Sequence, residues 1–362
     1  MKEDLINHEE LLRIAGMFAA EGTPCSVRPA GNGHINDTYF VEYAAASGGD
    51  SAASDEGNES GTAARAYILQ RINDNVFTSP ELLMENMIKV TEHLHCPLHF
   101  IPCLDGGYVC RTDSGYWRMM NYIEKSCSCE TVSDPKQFHE IGRAYGAFIN
   151  DMADFPASEL HETIEHFHDT RRRFASLLTA IRSDPCGRRA RAEDEIRFAL
   201  EHEKDVDILN EAAARGELPI RVTHNDTKIN NVLLDRDTGK ALCVIDLDTV
   251  MPGLAVNDFG DAIRSGASTG REDEPDAESV RLDLELYEAF RRGFIEGCPG
   301  LTEKEIEMLP VGAKMMTLEC GIRFLTDYLE GDRYFKTDYP EHNLVRCRTQ
   351  FRLVRDMEEK LF

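Results

Sequence analysis

At 362 residues the chain exceeds the roughly 250–300 that one hydrophobic core serves, so two lobes are expected. Its 42% hydrophobic and 29% charged residues are ordinary for a globular protein, and no apolar run approaches the length of a membrane span. The net charge of -25 excludes a nucleic-acid partner, but a nucleotide can still be held by local cations, backbone N–H groups and a metal.

The amphipathic, acidic start of the chain is unlike a signal sequence, which points to the cytoplasm and to no membrane partner. Residues 1–20 have helical apolar spacing through Leu5, Leu11, Leu12, Ile14, Ala15 and Phe18. A strand–turn–strand pattern follows: Ser26-Val27-Arg28, then Gly31-Asn32-Gly33, then Thr38 to Glu42. Residues 44–65 are Ala, Gly, Ser and acid without a large apolar side chain, the composition of a flexible hairpin tip. A strand over 67–72, a helix near 79–95 and a hairpin turning at Asp113-Ser114-Gly115 complete a small β-rich lobe ending at 120. Residues 121–125 read as a hinge. The lobe from 126 to 362 is mainly helical, interrupted by a β-rich island at 221–248. The eleven cysteines are expected to be reduced and mostly buried, and neither Cys127/Cys129 nor His93, His95 and His99 has zinc-site spacing.

The island carries the chemistry. His224-Asn225-Asp226-Thr227-Lys228-Ile229-Asn230-Asn231 leads into two apolar runs joined by a turn at 235–240, ending at Ile245-Asp246-Leu247-Asp248. A hairpin there sets Asn231 opposite Ile245 and Asp246, with Asp226 on the preceding loop. Phosphoryl transfer uses these residue types: Asp and Asn as hard oxygen ligands for Mg²⁺, and a second Asp to orient a hydroxyl and accept its proton. Lys228 has the length to reach a transferring phosphate. Turn-forming residues alone would also give Asp226, Asn230 and Asn231; the combination favours catalysis.

This segment resembles the Brenner-type motif of the aminoglycoside phosphotransferase and choline kinase superfamily. The resemblance implies an α+β, protein-kinase-like two-lobed fold, a β-rich N-lobe and a helical C-lobe, with ATP and Mg²⁺ as cofactors. It makes Asp226 the base and Asn231 and Asp246 the metal ligands. It also makes Asp258, in Asn257-Asp258-Phe259-Gly260-Asp261, the start of the next helix. The short spacing from Asp246 to Asp258 leaves no room for an activation segment, so a protein substrate is excluded.

In the N-lobe, the resemblance implies that Gly31, Gly33, Asn36 and Thr38 lie on the loop over the ATP phosphates. The strand after it has Gln70-Arg71 where kinases carry a Lys. Strand alternation sends only one of these toward the nucleotide, with Arg71 the candidate cation and Glu85 its candidate partner. A surface pair of Glu85 with Lys89 is the alternative. Adenine would meet backbone groups from Met120 to Tyr122.

Specificity is expected in the helical lobe. Thr302-Glu303-Lys304-Glu305 is a capping box, and the helix beyond it carries Glu319, Arg323 and Asp327 on one face, either as a solvated, mutually paired face or as a pocket wall. Gly-His-Ile-Asn-Asp-Thr-Tyr, Ile-Leu-Gln-Arg-Ile-Asn, Asp-Leu-Asp-Thr-Val-Met-Pro and Arg-Phe-Leu-Thr-Asp-Tyr-Leu together resemble the N-acetylhexosamine 1-kinases. That branch phosphorylates the anomeric hydroxyl of amino sugars, and Arg323 and Tyr334 match its sugar contacts. The acceptor is thus expected to be a small amino sugar. Choline, ethanolamine or aminoglycoside kinases and a nucleotide-binding pseudokinase are the other readings.

Overall fold

A computed structural model describes residues 6–30, 35–45 and 65–362, and the chain divides into two units, Met1–Lys125 and Ser126–Phe362. Gly31, Gly33 and the greater part of the expected hairpin tip, 46–64, lie outside the described residues.

The first unit contains α1 (His8–Ala15), β1 (Thr23–Pro29), β2 (Asp37–Ala44), β3 (Arg65–Ile72), α2 (Pro80–Leu94), β4 (Phe100–Ile101), β5 (Cys110–Thr112) and β6 (Gly115–Asn121). Its strands form one antiparallel sheet in the order β1-β2-β3-β6-β4, with β5 also on β6. Alternation explains the core: Val41 and Tyr43 of β2, Tyr67 and Leu69 of β3, and Trp117 and Met119 of β6 join Leu11, Ile14 and Ala15 of α1 in one buried cluster. The first helix is shorter than its apolar spacing suggests. Asn7 caps it by accepting from Glu10 N, it ends at Ala15, and Phe18 instead bridges to Cys103.

The second unit opens with β7 (Ser126–Cys127), then α3 (Pro135–Asp151), α4 (Thr170–Ser183), α5 (Glu193–Glu201) and α6 (Ile208–Ala214). The β-rich island is β8 (Arg221–Thr223), β9 (Val232–Asp235), β10 (Ala241–Val244) and β11 (Met251–Gly253). Helices α7 (Ala255–Gly266), α8 (Leu284–Gly297), α9 (Glu303–Glu330) and α10 (His342–Leu361) follow. The strands form two small sheets, β10-β9-β7 and β11-β8. Helices α3 and α8 approach backbone to backbone, and a Cβ on Gly293 would stand 2.0 Å from His139 O. Helix α9 begins with the expected capping box, Thr302 Oγ1 accepting from Glu305 N and Glu305 Oε2 from Thr302 N. Glu305 also receives Arg221 of β8 at 2.6 Å, which ties the island to α9.

The cysteines depart from expectation. All are free, but only Cys103, Cys110, Cys243, Cys298 and Cys347 are buried, and Cys25 and Cys186 are exposed. Among the described residues no helix is long and apolar enough to cross a membrane.

Candidate active site

The hairpin β9–β10 forms because Asp235 closes its own turn: its Oδ1 accepts from Asp237 N and Thr238 N at 3.1 and 2.7 Å. Val232 pairs with Val244, and the ladder continues as Ile245 N donates to Asn231 O at 2.8 Å. That register brings Asn231 beside the backbone that leads into Asp246. Asn231 is buried and its Nδ2 donates to Asp226 O at 2.9 Å, so its Oδ1 remains as the amide's hard oxygen. Asp246 has left-handed backbone, φ 62°, which Asp tolerates better than most residues.

The loop carrying Asp226 is anchored from several sides. Asp258 takes His224 N on Oδ2 and Asn225 N on Oδ1, both at 2.8 Å, and its own carbonyl accepts from Thr227 Oγ1. Asp258 lies inside the first turn of α7, three residues past Ala255, rather than at the helix start as the motif suggested. Burial pushes its carboxyl up to about 6, against the lowering effects of His224 and the two N–H bonds. His224 Nε2–H donates to Ile245 O at 2.9 Å, joining the loop to the hairpin. Tyr145 of α3 donates to Lys228 O at 2.6 Å.

Lys228 Nζ stands 3.4 Å from Asp226 Oδ1, and that carboxylate raises the lysine's pKa. Nearby, Arg264 donates from Nε and Nη2 to Oδ1 of Asp261, at 3.0 and 2.8 Å, and from Nη1 to Glu272 at 3.0 Å. Asp261 Oδ2 is buried with no hydrogen-bond partner among the described residues. Burial works against the Asp261 charge, but Arg264 outweighs it and lowers the pKa.

On α9 the mutual i,i+4 pairs of the solvated-face alternative do not form among the described residues. Glu319 turns inward to His168 Nδ1 at 3.1 Å and to Thr170 Oγ1 at 2.7 Å. Asp327 accepts from the N–H groups of Arg333, Tyr334 and Phe335 at 2.8, 2.9 and 3.0 Å, and so shapes the turn presenting Tyr334. Arg323 lies between them with its guanidinium carbon 5.9, 5.7 and 5.5 Å from the rings of Phe167, Tyr334 and Phe335. Among the described residues no carboxylate forms a salt bridge with it. A second guanidinium is close: burial, then the Arg323 charge, lower the pKa of Arg173, and its buried Nε has no hydrogen-bond partner among the described residues. Tyr334 itself is 62% exposed.

In the first unit the expected nucleotide contacts are differently disposed. Asn36 is buried, and its Oδ1 accepts from Asn73 N at 3.0 Å, so this side chain shapes its own loop. Thr38 Oγ1 accepts from Gln70 Nε2 at 3.0 Å, while Gln70 Oε1 takes Arg118 Nε at 2.9 Å. Arg71 points to the other side, 3.6 Å from Asp37 and 39% exposed. Glu85 pairs with Lys89 at 2.8 Å, the surface alternative. At Met120 to Tyr122, Met120 pairs with Ile68 and Phe100, Asn121 N donates to His99 O at 3.0 Å, and Tyr122 N donates to Ala66 O at 3.2 Å. The N–H groups of Asn121 and Tyr122 are therefore engaged within the sheet.

Sequence reasoning missed His168, Arg173, Asp261 and the buried Arg118. None belongs to a local motif except Asp261, which ends Asn-Asp-Phe-Gly-Asp, and His168 and Arg118 reach their partners across long stretches of chain.

Comparison with known proteins was made at the level of sequence and of structure. A model of the phosphotransferase enzyme family, APH, matches residues 26–293. Among solved structures, a spectinomycin phosphotransferase in complex with ADP and spectinomycin is 12% identical, with 99% of each chain covered and a TM-score of 0.60. The amicoumacin kinase hAmiN, in complex with AMP-PNP, Ca²⁺ and Ami, is 13% identical over 96% of this chain and 93% of that one, with a TM-score of 0.58. A Plasmodium vivax ethanolamine kinase is 11% identical over 90% of this chain and 82% of that one, with a TM-score of 0.55. The first unit has the antiparallel sheet and the second the helical build of that two-lobed, protein-kinase-like fold.

Proposed function

The chain belongs to the phosphotransferase enzyme family, and we propose that it is an ATP- and Mg²⁺-dependent kinase acting on the anomeric hydroxyl of an N-acetylhexosamine. Asp226 accepts the proton of the acceptor hydroxyl, and Lys228 beside it offers a cation to the transferring phosphoryl group. Asn231 Oδ1 and the Asp246 carboxylate are a donor set of hard oxygens from adjoining backbone, which suits Mg²⁺. When bound, that ion would neutralise charge on the ATP phosphates. From the first unit, Arg71 would supply a phosphate cation, and Thr38 and the Gly31–Gly33 loop would lie near the nucleotide. Adenine would be met by carbonyl groups of the Met120–Tyr122 backbone.

The observation that carries the acceptor reading is the pair Arg323 and Arg173. Phosphotransferases of this fold act on antibiotics and on ethanolamine alike, so the fold does not choose among them. The local charge supports the sugar reading. A cationic acceptor about 6 Å from one guanidinium, at an effective dielectric of about 20, is disfavoured by about 3 kcal/mol. A ring rich in hydroxyls, or an N-acetyl carbonyl, instead accepts from the guanidinium and lies against Tyr334. The test is ATP turnover with N-acetylglucosamine, N-acetylgalactosamine, choline, ethanolamine and aminoglycosides, followed by locating the phosphate by NMR. Turnover of a cationic acceptor alone would overturn the sugar assignment. No turnover with intact ATP binding would favour a pseudokinase.

A further inference from the structure

His168 lies in the segment before α4, outside any motif, and is buried with 9% of its side chain exposed. Both of its ring nitrogens face groups that accept: Nδ1 is 3.1 Å from Glu319 Oε1, and Nε2 is 3.0 Å from Asn225 O. A carbonyl oxygen cannot donate, and the other oxygen of Glu319 already accepts from Thr170 Oγ1 at 2.7 Å. With Glu319 ionised, satisfying both contacts requires a hydrogen on each nitrogen, which is an imidazolium beside a carboxylate. The charges support this: burial opposes the ring's protonation, but Glu319, the Asn225 carbonyl and Asp261 together outweigh it and raise the His168 pKa. Burial likewise opposes the Glu319 charge, and His168 and Thr170 outweigh it and lower that pKa. Asp261 and Asp258 of α7 are the other charged groups that feel the ring.

The carbonyl to which His168 donates belongs to Asn225, whose backbone is left-handed at φ 63° and which immediately precedes Asp226. Asp258 fixes this loop through its N–H groups; His168 fixes it from the carbonyl side. Glu319 stands one turn before Arg323 on α9, so a single helix anchors the loop of the base and also presents the acceptor's guanidinium.

We propose that His168 is a positioning residue, which, clamped by Glu319, fixes the Asn225 carbonyl and thereby aims Asp226 at the acceptor hydroxyl. This rests on the reading of Asp226 as the base. Small misplacements of a reacting group are costly, about a hundredfold for 1 Å. The clamp should therefore act on turnover more than on binding of ATP.

The experiment compares three full-length variants in steady-state kinetics, with N-acetylglucosamine or whichever acceptor in the panel the wild type turns over, alongside thermal melts. His168→Leu with Glu319→Leu removes both charges together and leaves no unpaired ion buried. It is expected to lower kcat tenfold or more, per folded molecule, with KM for ATP unchanged. Glu319→Gln can still hold the ring while Nε2–H donates to Asn225, so its loss of kcat should be about threefold. Wild-type kcat in the folded double variant, or an equal loss in Glu319→Gln, overturns the proposal. Asp226→Asn runs beside them: if it keeps its turnover, the base assignment fails, and with it the premise, whatever the clamp does. Should the double variant not fold, ¹⁵N NMR of the wild-type ring decides, assigned by its loss in His168→Gln. At pH 7.5 an ordinary histidine is only about one-tenth protonated. His168 is expected to be doubly protonated there, and a neutral ring with its hydrogen on Nδ1, which leaves Nε2 unable to donate to Asn225, would overturn the clamp.

Discussion

Asp226 and Arg71 are both candidate phosphate-handling groups, yet their surroundings differ in kind. The loop of Asp226 receives hydrogen bonds from or to Asp258, His224, His168, Asn231 and Thr227, nearly all buried. Arg71 sits on a half-exposed strand face with one loose ion pair to Asp37 at 3.6 Å. The first arrangement tolerates little displacement, since every anchor is already satisfied by a specific partner in low dielectric. The second costs little to rearrange. The comparison teaches that the preorganised contacts are concentrated in the second unit, and that a nucleotide contact by Arg71 in the first would gain its definition from the ligand.

If that is right, substitutions in the loop and hairpin should have the largest effects. Asp246→Asn keeps a residue that tolerates the left-handed backbone but removes the charge from the proposed metal site. Mg²⁺-dependent turnover should be lost. A Mg²⁺ titration of nucleotide binding that is unchanged in this variant would falsify the ligand assignment. Asp226→Asn removes a base without changing size. General-base catalysis is typically worth 10²–10⁴-fold, so kcat should fall at least about a hundredfold with ATP affinity nearly kept. Near-normal kcat would mean that Asp226, for all the anchoring of its loop, is not the base.

Arg323 tests the acceptor side of the same unit. Losing charge-assisted hydrogen bonds to the sugar costs roughly 1.5–3 kcal/mol, or about ten- to a hundredfold. Arg323→Ala should raise KM for the sugar by that factor while KM for ATP stays constant, and Arg323→Lys should rescue poorly because an ammonium lacks the planar fork. A change in melting temperature without a change in KM would reduce Arg323 to an aromatic-packing residue.

Asp258 sharpens the comparison through pH. Its carboxyl is pushed from 3.8 to about 6 in the folded chain, so between those values the folded state binds more protons than the unfolded state. Stability from this group is therefore fully present below about 4 and is lost as pH rises through about 6. The slope from one proton is at most about 1.4 kcal/mol per pH unit. Chemical denaturation of wild type and Asp258→Asn across pH 4 to 7 measures it, and the variant should lack that component. Parallel curves would show that the two N–H bonds keep Asp258 ionised throughout.

What could be read in the sequence was local. The hairpin register follows from Asp235 and the residues of its turn, the capping box from Thr302 and Glu305, and the first sheet from alternation through Tyr67, Leu69, Trp117 and Met119. What could not be read depends on distant partners. Glu319 and Asp327 share a helix face with Arg323, which the 3.6-residue period reveals. Only the fold shows that one meets His168 and the other the turn at 333–335. The same limit hid Arg118 behind Gln70: the strand pattern marks both as polar, and only the β3–β6 register places them side by side.

The smallest expected effect is at Glu85. Its side chain is 47% exposed and its pair with Lys89 joins successive turns of α2 at 2.8 Å. Exposed pairs with this spacing are worth a few tenths of a kcal/mol, because water screens the charges and ordering two long side chains opposes the gain. If the first unit is defined chiefly by its ligand, Glu85→Gln should lower stability only by that amount and leave KM for ATP within about twofold. Arg71→Ala, in contrast, should raise KM for ATP, since a phosphate cation would be lost outright. A tenfold rise in KM for ATP in Glu85→Gln, matching that of Arg71→Ala and not additive with it, would mean that the two residues act as a unit when nucleotide is bound. The contrast between a preorganised second unit and a pliable first one would then be wrong at its weakest point.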